Sequence, residues 1–181
     1  GSVGAMHAWK MSEMAKKALR DGAPFITIND SGGARIQEGI YSLRGYGEIF
    51  YHNTLLSGVV PQIAIVAGPC AGGAAYSPAL MDFIIMVQGT GKMFIAGPNV
   101  IKEATGEDIG AEELGGAMAQ ATISGNVHFI ARDDAEAIEI TKKLLSYLPS
   151  NNTENPPYYG SNELDLSNDE SLNTIIPDDP R

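Results

Sequence analysis

A single cysteine, Cys70, stands among the 181 residues, so no disulfide can form within the chain, and such sparing use fits a reducing, cytoplasmic setting. Basic residues are scarce: 12 Lys and Arg face 22 Asp and Glu, a net charge of -10. A surface of that sign has little with which to neutralise a phosphate backbone or an anionic membrane, which argues against nucleic acid as a partner. No window is long and apolar enough to span a bilayer, and the amphipathic start lacks the uninterrupted apolar stretch of a signal peptide. The three histidines, His7, His52 and His128, stand at no metal-ligand spacing with one another or with Cys70, so no metal site is expected. Against these absences, 44% of the residues are apolar, enough for one sizeable core, and 21 are glycine.

Ala5 to Leu19 places apolar residues near helical spacing with Lys and Glu between them and ends at Asp21-Gly22, which predicts an amphipathic helix. Further helices are expected from about Tyr46 to Leu56, Pro98 to Ala104 and Asp133 to Leu148, the last opened by Asp133 or Asp134 and closed by Pro149. Short runs rich in Ile, Val or Phe, namely Phe25 to Ile28, Gln62 to Ala67, Asp82 to Val87 and Lys92 to Ala96, read as buried strands. Alternating strands and helices give an α/β layout over residues 1–150. From Ser150 onward Asn, Pro, Ser and acids dominate. Residues 151–181 hold seven acids against Arg181 alone, carry most of the net charge and read as an acidic linker.

Two glycine loops carry the functional signal. Gly68 to Leu80 (GPCAGGAAYSPAL) runs from a buried apolar strand straight into consecutive glycines. Gly72, Gly73 and Ala74 put little side chain between backbone and ligand, so their N–H groups suit a developing negative charge. A tight turn that needs glycine only for its backbone freedom would look the same. Asn29 to Gly39 (NDSGGARIQEG) follows another short apolar run about 40 residues earlier, and this repeated strand-then-glycine design favours an oxyanion hole, with one donor from each loop bracketing a single carbonyl oxygen.

With these loops, the pair Met6-His7, GYGEIF at Gly45 to Phe50, EELGG at Glu112 to Gly116, SGNVHF at Ser124 to Phe129 and LLSYLPSNNTENPP at Leu144 to Pro157, the chain resembles the carboxyltransferase subunits of biotin-dependent acyl-CoA carboxylases, transcarboxylases and decarboxylases. The resemblance implies the α/β crotonase/ClpP-like fold of repeated β-β-α units, and a chain that is the N-terminal half of such a subunit, shortened at both ends, with the linker leading toward an absent second half. It implies carboxyl transfer to or from a short-chain acyl-CoA of the propionyl-CoA or methylmalonyl-CoA type. Biotin would arrive as carboxybiotin on a separate carrier protein or domain, alongside other subunits of a carboxylase or decarboxylase complex, with homo-oligomer assembly at full length. The matching enolate-stabilising positions are Gly33, Ala34, Gly73 and Ala74, and those expected to hold the acyl-CoA around them are Ser31, Gly32, Arg35, Gly72, Gly115 and Gly116. Where the family commonly has a histidine and an acid, this sequence has Gln120 and Ala5. A non-catalytic acyl-CoA-binding fragment and a stand-alone crotonase-type hydratase or isomerase are the alternatives.

Other residues invite sharper roles. Glu38 is a candidate general base, but a carboxylate near a helix start more often serves as a cap or dipole partner. Ser77 with a histidine and an aspartate would make a hydrolytic triad, yet no G-x-S-x-G elbow surrounds it, and Pro78 reads as a helix start. Arg35 either reaches a phosphate or carboxylate of the ligand or pairs with Glu38. Gly115 and Gly116 either permit close approach at the acyl pocket or end a helix. Cys70 reads as a small buried filler.

Overall fold

Apolar runs separated by helix-forming stretches set the layout of the computed structural model, which describes residues 1–160 and Ile175. Helix α1 (Ala5–Asp21) buries Ala8, Ser12, Ala15 and Ala18, small residues three to four apart that let it lie close to its neighbour. Strand β1 (Phe25–Ser31), a 3-10 turn (Ile36–Glu38) and helix α2 (Ile40–Leu56) follow. Helix α2 starts six residues before the expected Tyr46. Its first turns expose Ile40, Tyr41 and Leu43 and bury Ser42 and Gly45, so no apolar stripe marks them as helical.

Strand β2 (Gln62–Ala71) is buried throughout its first half. Helix α3 (Gly73–Ala79), strands β3 (Phe83–Val87) and β4 (Lys92–Phe94), and helices α4 (Pro98–Thr105), α5 (Ala111–Gly115) and α6 (Ala117–Thr122) come next. Strand β5 (Phe129–Ala131) and helix α7 (Asp134–Leu145) complete the order; Asp133 caps α7 by accepting from Glu136 N at 2.8 Å. Pro78 does not open a helix: it is the penultimate residue of α3, where its missing N–H forgoes only the bond back to Ala74.

All strand pairings are parallel, in the order β1-β2-β3-β5, with β4 pairing separately to β2. Strand β2 meets β3 over Ile63–Val66 and β4 over Pro69–Ala71, while β1 runs along its other edge. Side chains alternate across the sheet. Ile63, Ile65, Ile85 and Val87 pack with Ala131 and Ala137 on the α7 side, whereas Ala64, Val66, Ile84 and Met86 pack with Tyr46, Ile49 and Ala74 on the other. Helices covering both faces explain why β2 and β3 read as continuous apolar runs, and they form the expected α/β architecture, in which β3, β4 and α4 run in β-β-α order.

One polar cluster crosses this core. Asn53 Nδ2 donates to Gln62 Oε1 (3.0 Å), Gln62 Nε2 donates to Asn53 O (3.0 Å), and Ser77 Oγ donates to Asn53 Oδ1 (2.9 Å), joining α2, β2 and α3. Past α7, Asn151 Nδ2 donates to Gly22 O (3.0 Å) and Asn152 N to Val59 O (2.9 Å), so the chain stays against the body through these residues. Beyond residue 160 the expected acidic linker lies outside the described residues, Ile175 apart. Among the described residues, no helix is long and apolar enough to cross a membrane.

Truncating Asn53 would leave Ser77 and Gln62 with buried polar atoms and no partner. Asn53→Ala is therefore expected to lower the unfolding free energy by about 3 kcal/mol. Urea denaturation monitored by circular dichroism measures it; a loss below about 1 kcal/mol would remove the network from the account of stability.

Candidate active site

The first loop is held by the residues that precede α1. Gly32 N donates to Gly1 O (2.8 Å), Val3 N to Gly33 O (2.8 Å) and Arg35 N to Val3 O (2.9 Å), which makes Val3 a one-residue parallel bridge to Ala34. In such a bridge the N–H of Ala34 points to the opposite side. No described residue accepts it. Gly33 N is engaged, donating to Ser31 Oγ at 3.2 Å, so Ala34 and not Gly33 offers the free donor of this loop.

The second loop ends β2 and opens α3. Gly72 N donates to Phe94 O (3.1 Å), while Ala75 N and Tyr76 N both turn back to Gly72 O (2.9 and 3.2 Å). The first N–H groups of a helix have no acceptor within it. Those of Gly73 and Ala74 accordingly find none among the described residues. The two loops touch at their glycines: a Cβ on Gly33, whose φ is +97°, would lie 2.7 Å from Ala71 O and 4.0 Å from Gly73 N. Only glycine fits there. Ala34, Gly73 and Ala74 thus contribute three unengaged N–H groups from two meeting loops, a donor set suited to one oxyanion.

Beside them a cleft of about 420 Å³ runs between α1 and the open edge of β1, lined among others by Ser31, Tyr46, Ala74, Ile26, Ile28 and His7. The Tyr46 hydroxyl is buried with no hydrogen-bond partner among the described residues, and desolvation pushes its pKa up, with Ser31 opposing. Sequence reasoning named Tyr46 only within the Gly45–Phe50 motif and as the expected start of a helix. Its spacing from Ile49 and Asn53 on the buried face of α2 was the signal available.

The remaining candidates separate cleanly. Arg35 pairs with Glu38 (Nη1 to Oε1, 2.9 Å) and also donates to Ser2 O (3.1 Å) and Ser2 Oγ (3.3 Å). The other oxygen of Glu38 accepts from Ala5 N (2.6 Å) at the start of α1, and that bond first, then Arg35, holds the carboxyl below the usual glutamate range. Glu38 is a helix cap, and Arg35 has taken the ion-pair alternative. Gly115 and Gly116 lie one strand away, behind β4: a Cβ on Gly115 would overlap Met93 O, and Gly116 bridges to Lys92 and starts α6. Gln120 also serves β4, donating from Nε2 to Met93 O at 2.6 Å. Ser77 Oγ bonds to Asn53, His52 Nδ1 meets Glu48 O and His128 Nδ1 accepts from Ile84 N; His7 lines the cleft with Ser77, but among the described residues no serine–histidine hydrogen bond of a triad is formed. Cys70 is fully buried, its thiol pushed up to about 11 by burial, with a Ser31 backbone bond opposing, so it is an unreactive filler.

The whole chain, residues 1–181, matches the carboxyl transferase domain. It is 58% identical over 179 residues to the methylmalonyl-CoA carboxyltransferase 12S subunit of Propionibacterium freudenreichii subsp. shermanii, covering 99% of this chain and 34% of that protein. It is 53% identical over 178 residues to methylmalonyl-CoA decarboxylase subunit alpha of Veillonella parvula, covering 98% and 35%. Among solved structures, the transcarboxylase 12S hexamer with hydrolysed methylmalonyl-CoA bound superposes with a TM-score of 0.88 at 58% identity, over 98% of this chain and 35% of that one. The beta subunit of P. aeruginosa geranyl-CoA carboxylase gives 0.74 at 30% identity, over 82% and 28%. These likenesses bear out the crotonase-like fold. The chain spans about a third of the length of the curated relatives it matches.

Because the Glu38 pKa is depressed in the folded chain, its contribution to stability is complete above the ordinary glutamate range and is lost as pH falls through the folded value. The melting-temperature gap between the wild type and Glu38→Ala is expected to be widest near neutral pH and to close under acid. A gap that persists unchanged at pH 3 would contradict this electrostatic account.

Proposed function

The chain belongs to the carboxyl transferase domain family, and from that premise we propose that it forms the acyl-CoA side of a biotin-dependent carboxyltransferase acting on a short-chain thioester of the propionyl-CoA or methylmalonyl-CoA type. The observation that carries this reading is the set of N–H groups on Ala34, Gly73 and Ala74 that no described residue accepts. Carboxyl transfer to or from the α-carbon of an acyl-CoA places negative charge on the thioester oxygen as an enolate. Donors fixed by the fold stabilise that charge without reorganising, at about 3 kcal/mol for each one. Ser31, engaged with Gly33, and Gly72, bonded to Phe94 O, hold the loops in shape, while Gly32 and Arg35 flank the first loop. Gly115 and Gly116 support the second loop from behind β4.

Carboxybiotin, carried on a separate protein or domain, supplies or accepts the carboxyl group. No residue of this chain is assigned to biotin. Other subunits would complete the site, with a homo-oligomer assembled in the cytoplasm; the exposed Ile36, Ile40, Tyr41 and Leu43 support such assembly. Residues 151–181 are proposed as the acidic linker toward a second domain.

A second reading is an acyl-CoA-binding portion that turns over nothing alone. Binding without transfer, with transfer restored by adding the remaining half, would distinguish it. The hydratase or isomerase reading draws no support, because Glu38, its candidate acid, is engaged by Ala5 N and Arg35.

Calorimetric titration with propionyl-CoA, with free CoA and Gly73→Val as controls, tests the proposal. Saturable binding that favours the thioester and is lost in the variant is expected. Equal affinity for propionyl-CoA and CoA in folded protein would sink the oxyanion reading.

A further inference from the structure

Helix α3 is fastened at both ends. Ser77, near its last turn, is tied to Asn53 of α2. At its first residue it rests on Tyr46, one helical turn and three residues earlier on the same helix: a Cβ built on Gly73 would lie 2.7, 2.8 and 2.9 Å from Cδ1, Cγ and Cε1 of the Tyr46 ring. That ring is 5% exposed and packs on Phe50 with centroids 5.7 Å apart, and Phe50 meets Tyr76 of α3 at 6.1 Å. The ring therefore fills the space between the body of α2 and the start of α3, with the cleft on its open side. Among the described residues its buried hydroxyl has no partner at full hydrogen-bond geometry, though Ser31 stands near enough to oppose the rise in its pKa, so ring packing is the main hold on its position. Tyr46 also lines the cleft together with Ser31 and Ala74, so it stands beneath both loops.

We infer that Tyr46 is a positioning residue whose ring sets the height of Gly73, and through it the direction of the Gly73 and Ala74 N–H groups toward the bound thioester. This inference rests on the oxyanion reading above. It also gives Gly73 a reason to be glycine that differs from backbone freedom. Gly73 does not have a positive φ, so alanine would tolerate its backbone and keep its N–H. Any damage done by Gly73→Ala must then pass through the contact between the new methyl group and the Tyr46 ring. Removing part of that ring should repair it.

The test is calorimetry on the full chain with propionyl-CoA and with free CoA, read as the ratio of the two affinities. A general weakening of the fold moves both affinities together, whereas displaced donors lower only the ratio. In the wild type the ratio is expected to be about tenfold in favour of the thioester, the worth of one good hydrogen bond. Gly73→Ala should bring it to about one with CoA affinity changed by less than about twofold, and Gly73→Ala combined with Tyr46→Leu should recover most of the preference. Tyr46→Phe, which keeps the ring, should match the wild type. A wild-type ratio near ten that Gly73→Ala leaves intact overturns the role of Tyr46 and spares the oxyanion reading; a loss that the double variant does not repair does the same. If the double variant fails to fold, Gly73→Ala alone decides. A wild-type ratio of one overturns both.

Discussion

Everything at the site depends on the absence of side-chain volume where the ends of β1 and β2 meet the start of α3. A methyl group on Gly33 would collide with Ala71 O, and one on Gly73 would collide with the Tyr46 ring. Parallel pairing makes this meeting possible. Because β1 and β2 run the same way, their carboxyl ends open on one side of the sheet, and each hands its chain to a glycine loop at that edge. The crossover through α2 accounts for the roughly 40 residues between the loops, since parallel neighbours need a connection of a dozen residues or more. Loop spacing in the sequence and loop contact in space are two aspects of one topological fact.

The polarity of the site comes from backbone. Arg35 and Glu38 tie the first loop to the start of α1, Lys92 and Glu112 join β4 to α5, and Lys10 and Asp30 line the cleft. Beneath the loops lie groups without charge, among them Cys70, the Tyr46 ring and the alanines of α3. A negative charge appearing at the loops meets amide dipoles that the fold has already fixed in place.

Much of this was legible in the sequence, for identifiable reasons. The strands showed themselves because both faces of β2 and β3 are covered, which leaves unbroken runs of Ile, Val and Met. The loops showed themselves because close approach admits only glycine and alanine. What stayed hidden is what carries no periodicity. The first turns of α2 bury Ser42 and Gly45 and expose Ile40 and Leu43, which inverts the usual pattern. Helices α3, α5 and α6 span 7, 5 and 6 residues, too few for a period to emerge. The engagement of Gly33 N by Ser31, and the distance of Gly115 and Gly116 from the loops, depend on register and on which strand stands between, which local composition does not encode.

Strand β2 changes neighbours partway along, from β3 to β4, and the second loop hangs from the β4 portion through the bond between Gly72 N and Phe94 O. Strand β4 is in turn backed by Gly115, which packs against Met93 O, and by Gln120, which donates to the same oxygen. The second loop therefore takes its position from β4 and from what lies behind it. Residues behind β4, in α5 or α6, are thus a remote handle on the second loop, whereas the first answers to Val3 and the start of α1.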